Sequence, residues 1–265
     1  MRSSVVCALF FTVCLTLVES FAPLQRTQKL PFRLASESSG QGFGAVAEKT
    51  QEDALSALPV QQIKQQLLDL LPSMKGTEAD FRSVETYVNA LEAKYAPPQT
   101  LDFLNLAMGG EWQLLFSTNL RGGPKPNFRL KEMVQRVEPN QLGGTVVNVA
   151  QWDLAQGDDA IFDCSGTFSV VCSYEINQGA RMIMELKDHV IKILPGSTVP
   201  QDVQALVGLL HRAMPTELFD PNEHAMDATY LDGDLRIVRM TGPSFEGVRN
   251  IFIRSGSMEI NPVAE

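Results

Sequence analysis

The stretch Phe162-Asp-Cys-Ser-Gly-Thr-Phe-Ser-Val-Val-Cys-Ser-Tyr-Glu-Ile176 alternates from end to end. Phe162, Cys164, Gly166, Phe168, Val170, Cys172, Tyr174 and Ile176 fall on one face, and mostly polar residues fall between them. Successive side chains of a strand point to opposite faces, so one face here packs on a core and the other meets water. The run is longer than an ordinary strand, and Gly166 is a natural place for a bulge or bend. It is therefore either one coiled strand or two strands joined at a corner. Working outward, further strands are predicted at Trp112–Ser117, Met133–Val137, Thr145–Gln151, Arg181–Leu186, Val190–Leu194, Tyr230–Val238 and Asn250–Arg254. That count predicts a mainly β protein, an antiparallel barrel of about eight strands whose interior holds packed side chains or one slender ligand.

Before Trp112 the period is helical. Ile63, Leu67, Leu70 and Leu71 make one apolar stripe, ended by Pro72 and Gly76; Phe81, Val84, Val88 and Leu91 make another, opened by Glu78 and Asp80. Between the late strands, Val199–Met214 places Val203, Leu206, Val207, Leu210, Ala213 and Met214 on one helical face, with Pro200 and Asp202 at its start and Pro215 at its stop. This inserted helix either packs over an open end of the barrel or serves as a lid or membrane contact.

Near the C-terminus runs Ala228-Thr-Tyr-Leu-Asp-Gly-Asp-Leu-Arg-Ile-Val-Arg239, followed by Arg249-Asn-Ile-Phe-Ile-Arg254. Read as one strand, it puts Tyr230, Asp232, Asp234 and Arg236 on one face and Leu231, Leu235 and Ile237 on the other. Such a polar set is either a structural ion-pair latch or the polar end of a ligand cavity. If the face points inward, Arg236 is expected to pair with Asp232 or Asp234.

The words Tyr-Leu-Asp-x-Asp-Leu-Arg-Ile-x-Arg and Asn-x-Phe-x-x-Arg closely resemble the C-terminal signature of the plastid lipid-associated proteins, or fibrillins. The run from Lys64-Gln-Gln-Leu-Leu through Pro97-Pro98 to Gly110-x-Trp112-x-Leu-Leu-Phe-Ser-Thr resembles the N-terminal half of the same domain. The resemblance spans about Lys64 to Arg254. It departs from the family at Arg239-Met-Thr-Gly-Pro-Ser-Phe-Glu-Gly-Val-Arg249, where the hairpin connection is different and longer. Gly110-x-Trp112 also resembles the lipocalin start motif, in which a late-strand Arg packs across the Trp; Arg236, Arg239 and Arg254 are candidates for that cation. The resemblance implies a lipocalin-like antiparallel barrel, preceded by a helical segment, with one helix inserted before the last strands. It also implies a plastid protein of thylakoids or plastoglobules, the plastid lipid droplets, that binds or organises apolar lipids such as prenylquinones, carotenoids or acyl lipids. The alternative is a non-catalytic scaffold for a plastid enzyme of lipid or prenylquinone synthesis.

The N-terminus agrees with a plastid address. Val5–Val18 is an apolar run behind Arg2, too short to span a bilayer and of the length of a signal-peptide core. From Phe21-Ala-Pro onward, Arg26, Lys29 and Arg33 occur with no acid before Glu37, which is transit-peptide composition. The expected organisation is a signal peptide over 1–20, a transit peptide over 21–45, a helical segment over 46–104 and the barrel over 105–260. The competing reading is a secreted protein with a basic pro-segment.

The full chain carries a net charge of −9, and losing Arg2, Arg26, Lys29 and Arg33 with Glu19 makes it more negative still. A nucleic-acid partner is therefore excluded from the expectation, and any lipid contact must be hydrophobic or local. Cys7 and Cys14 lie in the signal segment. On one continuous strand Cys164 and Cys172 would be roughly 26 Å apart, beyond disulfide reach, and are read as buried free thiols. His189, His211 and His224 show no metal-ligand spacing, the glycines of Arg121-Gly-Gly-Pro and Leu142-Gly-Gly-Thr sit at hairpin turns rather than in a phosphate loop, and no nucleophile motif stands in a convincing context. Neither catalysis nor a cofactor is expected. Trp112, Phe116, Phe168, Val170, Cys172, Tyr174 and Tyr230 are the expected cavity lining, with Asp232, Asp234 and Arg236 as its polar latch.

Overall fold

The computed structural model describes residues 54–119, 127–155, 162–200, 202–220 and 225–255. The expected signal and transit segments, His224 and the Arg121-Gly-Gly-Pro turn lie outside them. Strands β1 (Gly110–Ser117), β2 (Phe128–Asn140), β3 (Gly143–Ala155), β4 (Phe162–Ile176), β5 (Arg181–Ile193), β6 (Ala225–Leu231), β7 (Leu235–Thr241) and β8 (Arg249–Arg254) form a closed barrel in chain order. Neighbours are antiparallel throughout, and β1 closes on β8 with Trp112 opposite Arg254.

The long alternating stretch is a single strand, β4, paired along its length with β3 and β5. Gly166 marks no corner. A Cβ there would lie 2.3 Å from the Trp152 ring and 2.6 Å from the Lys192 carbonyl oxygen, so glycine makes room for the indole of the neighbouring strand. Two strand boundaries differ from expectation. Arg181–Leu186 and Val190–Leu194 are one strand, β5, kept continuous by a bulge: Val171 faces Asp188 and Cys172 faces Leu186, leaving Lys187 unpaired. Conversely, Tyr230–Val238 is two strands joined by a tight turn. The Asp232 carboxylate accepts hydrogen bonds from the backbone N–H groups of Asp234 and Leu235 at 2.8 and 2.7 Å, which folds Asp-Gly-Asp back on itself.

Among the described residues, the helices of two turns or more before the barrel are α1 (Val60–Leu70), α2 (Glu78–Glu92) and α3 (Leu101–Met108). Thr77 and Asp80 form a reciprocal capping box at the start of α2. α3 was not expected as a helix; the Thr100 hydroxyl caps it by accepting from Phe103 N–H. The inserted helix is α4 (Val203–Ala213), capped by Asp202, and a single-turn α5 (Thr216–Phe219) follows it. Leu206, Leu210 and Met214 of the expected stripe are buried, whereas Val203 is exposed.

The apolar residues divide into two cores. One fills the barrel and takes in Leu104 and Met108 of α3 together with residues of α4 and α5. The other lies between the outer barrel surface and the N-terminal helices. Ile63, Leu67, Val84, Val88 and Leu91 meet Phe116, Leu235, Ile237 and Ile251 there. A fully buried side chain of this size contributes about 1.5–3 kcal/mol, so the helical layer is an integral part of the fold.

Ion pairs fasten that layer. Lys64 Nζ lies 2.9 Å from both Asp232 and Asp234, so α1 holds the β6–β7 turn. Arg249 reaches Glu85 at 2.8 Å and Glu92 at 3.5 Å, and Arg239 reaches Glu92 at 3.5 Å. The expected Arg236 pairing is thus corrected: the turn directs both carboxylates to the helical layer, while Arg236 points into the barrel.

Burial lowers the Lys64 pKa, but the hydrogen bonds and charges of Asp232 and Asp234 outweigh it and leave it raised. Burial likewise raises Asp232, and the N–H groups of Leu235 and Asp234, Lys64 and Tyr230 outweigh that and leave it lowered. Lys64→Met should cost about 2 kcal/mol in urea melts, between the values for exposed and fully buried pairs. A cycle of Lys64→Met with Asp232→Asn should show coupling. Because Asp232 is depressed in the folded chain, its contribution is present above the unfolded carboxylate pKa and is lost as pH falls through the folded value. Additive losses that do not change with pH would refute this fastening.

Candidate functional site in the barrel interior

Trp112 is fully buried at the start of β1, and its indole N–H donates to the Met108 carbonyl at 2.8 Å. Two guanidinium groups lie over its rings, that of Arg254 at 4.1 Å and that of Arg236 at 4.8 Å. Arg254 donates to the carbonyl oxygens of Ala107, Gly109 and Gly233, tying the end of α3 and the β6–β7 turn to the last strand. Gly110, at φ +116°, is the residue that permits this. A Cβ there would stand 2.4 Å from Arg254 Nη1. Arg239, the third candidate cation, is on the outside with Glu92.

Phe168, Val170, Cys172 and Tyr174 lie in the interior core with Trp112, as their alternation predicts. Phe168 stacks on Phe219 of α5 at 5.4 Å and contacts His189 and His211, so α4 and α5 cover the interior at that level. The Tyr174 hydroxyl donates to Asn105 of α3 at 2.6 Å, and burial pushes its pKa up to about 12. Cys164 and Cys172 are buried free thiols; burial pushes Cys172 up to about 11, which makes it a poor nucleophile at neutral pH.

Two expected lining residues are on the outer face. Leu114 faces Phe252 and Phe116 faces Ile251, so Leu115 is an extra residue that turns Phe116 outward, onto Phe81 of α2 at 5.7 Å. In the same way Thr229 is the extra residue of β6. Tyr230 turns outward against Tyr95 at 5.6 Å and donates to Asp232 at 2.8 Å. A bulge of one residue reverses the inside–outside parity beyond it.

The interior also holds a polar chain that sequence reasoning missed. Arg236, 0% exposed, donates through Nη2 to the Gln135 carbonyl oxygen. Gln135 donates to Asn148 at 2.8 Å, and Asn148 donates to the Leu218 carbonyl at 2.6 Å. The signal was present: Gln135 falls at the inward parity of Met133 and Val137, and Asn148 at that of Val146 and Ala150. The Arg236 guanidinium also stacks over Phe252 at 4.5 Å. No carboxylate among the described residues forms an ion pair with it, and its Nε and Nη1 have no hydrogen-bond partner there. Burial, then the nearby Arg254 charge, pushes its pKa down to about 9, so it is charged at neutral pH.

Among the described residues, no three His, Cys, Asp or Glu side chains gather as a metal site, and no helix is long and apolar enough to cross a membrane.

The Arg236 arrangement makes a specific demand on stability. Stacking on aromatic faces returns about 0.5–2 kcal/mol, whereas desolvating an ion costs several. Replacement by an apolar side chain of similar length is therefore expected to be neutral or stabilising in the ligand-free protein. Arg236→Met should keep or raise the urea midpoint. A loss of about 3 kcal/mol or more, as when one partner of a buried ion pair is removed, would mean that a carboxylate meets the guanidinium after all.

No curated protein sequence matches this one. A family model does: PAP_fibrillin covers residues 61–245, from the first turn of α1 to Phe245 in the β7–β8 connection. Phe245, in that connection, packs against the interior core. With a match over most of its length, on a closed barrel whose signature residues hold the turn, the plugging Trp and the last strands together, the chain belongs to the PAP_fibrillin family of plastid lipid-associated proteins.

Proposed function

We propose that this protein binds or organises apolar lipids at thylakoids or plastoglobules and performs no catalysis of its own. The observation that carries this reading is the family match together with a closed barrel lined by Phe168, Val170, Val238, Met240 and Phe252. Small barrels of this width hold one slender apolar ligand or fill with their own side chains. The N-terminal address, a signal peptide followed by a basic transit segment, supports import into the plastid through the secretory pathway. A second reading, a scaffold for a plastid enzyme of lipid or prenylquinone synthesis, is favoured by one feature. Phe103 and Leu106 of α3 are each 65% exposed, and Asn105 ties that helix to the β2–β3 turn, where Leu142 is exposed as well.

Purified protein incubated with plastid lipid extract and re-isolated should retain about one lipid per chain by mass spectrometry if the barrel is a carrier site. Val170→Trp, which enlarges a fully buried wall residue, should lose most of that lipid at a stability cost of about 1–3 kcal/mol. Absence of retained lipid, together with stoichiometric capture of a plastid enzyme, would favour the scaffold.

Processing offers a separate check. Protein accumulated in the source cell should begin between about Ala35 and Glu48, after cleavage first between Ser20 and Phe21. N-terminal sequencing that finds Phe21 retained would argue for secretion.

A further inference from the structure

Among the described residues, Arg236 is a fully buried cation that no carboxylate meets. Lys64 and Arg249 meet carboxylates, and Arg254 has three carbonyl oxygens. Arg236 is as buried as any of them and has a single amide oxygen, from Gln135, with two nitrogen atoms left without partners among the described residues. It is not required to plug the barrel, because Arg254 already lies over the Trp112 rings at the shorter distance. Nor does it supply stability, since a desolvated cation on aromatic faces is costlier than an apolar side chain in its place.

Its surroundings define what would complete it. Trp112, Phe252 and Val238 are apolar, the Gln135 amide oxygen is the acceptor already used, and Tyr174 is near enough for its ionisation to sense the charge. A neutral carbonyl would occupy one free donor and leave the charge uncompensated. A carboxylate would accept two parallel N–H bonds and cancel the charge in the same step.

We propose that Arg236 anchors the head group of a lipid carboxylate, so that the barrel takes a long-chain acid with its head against the Trp112–Phe252–Arg236 stack and its chain along the apolar wall. This rests on the lipid-binding reading and narrows it to acyl chains bearing a free acid. Val146, Val170, Val238 and Met240 share the interior face with Arg236 and are closed together in this structure, so the acyl chain enters by parting them, while the Gln135 and Asn148 amides between them are already paired with each other and with the Leu218 carbonyl.

The test uses the delipidated full chain titrated with palmitate, hexadecanol, methyl palmitate and a neutral prenylquinone. Palmitate should bind about tenfold tighter or more than the alcohol or ester, the difference expected when charge-assisted hydrogen bonds replace neutral ones. Arg236→Met should abolish that preference by lowering palmitate affinity much more than hexadecanol affinity, and Arg236→Lys should restore part of it. With carboxyl-labelled palmitate, carbon-13 NMR should show the bound carboxyl ionised to about one pH unit or more below the free acid. Equal affinity for acid, alcohol and ester, a bound carboxyl titrating at or above its ordinary value, or an acid preference that survives Arg236→Met would each overturn the proposal. If Arg236→Met fails to fold, the head-group comparison and NMR titration on the unaltered chain decide alone. Binding of the neutral lipids without acid preference removes only this inference, whereas binding of none of the four removes the lipid-carrier reading with it.

Discussion

Trp112 stands opposite Arg254 across the β1–β8 pairing, and that pairing gives every strand an inside and an outside. A closed sheet has no free edges, so alternate residues must suit one of two environments without compromise. Inside is a core capped by α3 on one side and by α4 and α5 on the other. Outside, β1, β6, β7 and β8 carry a second core under α1 and α2, so these strands are apolar on both faces. β8 shows the consequence: residues 249–253 are all buried, with Arg249 matched by Glu85 and Glu92 rather than by solvent.

Alternation in the sequence therefore identified strands best where only one face is apolar. β4 has serines, threonine and acids on its outer face, and its bounds follow directly from that pattern. Where both faces are apolar, parity is lost. Leu114-Leu115-Phe116 offers no polar residue to mark the bulge that sends Phe116 outward, and Thr229 is too neutral to mark the one that sends Tyr230 outward. The expected number of strands matches the barrel only because two errors offset each other. β5 was split at its bulge, and β6 and β7 were merged through Asp232-Gly233-Asp234, although Asp-Gly between apolar runs is a hairpin signal.

Partners distant in sequence were not legible at all. Lys64 lies 168 residues from Asp232, and nothing in the local pattern of either end announces the other. The nearer candidate, Arg236, had the right charge and an apparent right face. A turn of the backbone, not a difference in chemistry, separates it from those carboxylates. The interior polar chain was legible in principle, because Gln135 and Asn148 interrupt inward-facing apolar positions. A polar residue at such a position is more informative than another apolar one, since it must find a partner or be discarded by selection for stability.

The two arginines on Trp112 divide the duties that a single cation performs in a simple barrel plug. Arg254 has its hydrogen bonds directed to the backbone of α3 and the β6–β7 turn, so its position is fixed by closure of the fold. Arg236 has the same aromatic neighbour and a second one in Phe252, yet its donors are largely free and its charge is opposed by Arg254. Like charges held together on one indole disfavour each other, and a neighbouring anion would be favoured by both. A fully buried cation with unmatched donors is what separates this interior from an ordinary apolar core, and in this barrel that residue is Arg236.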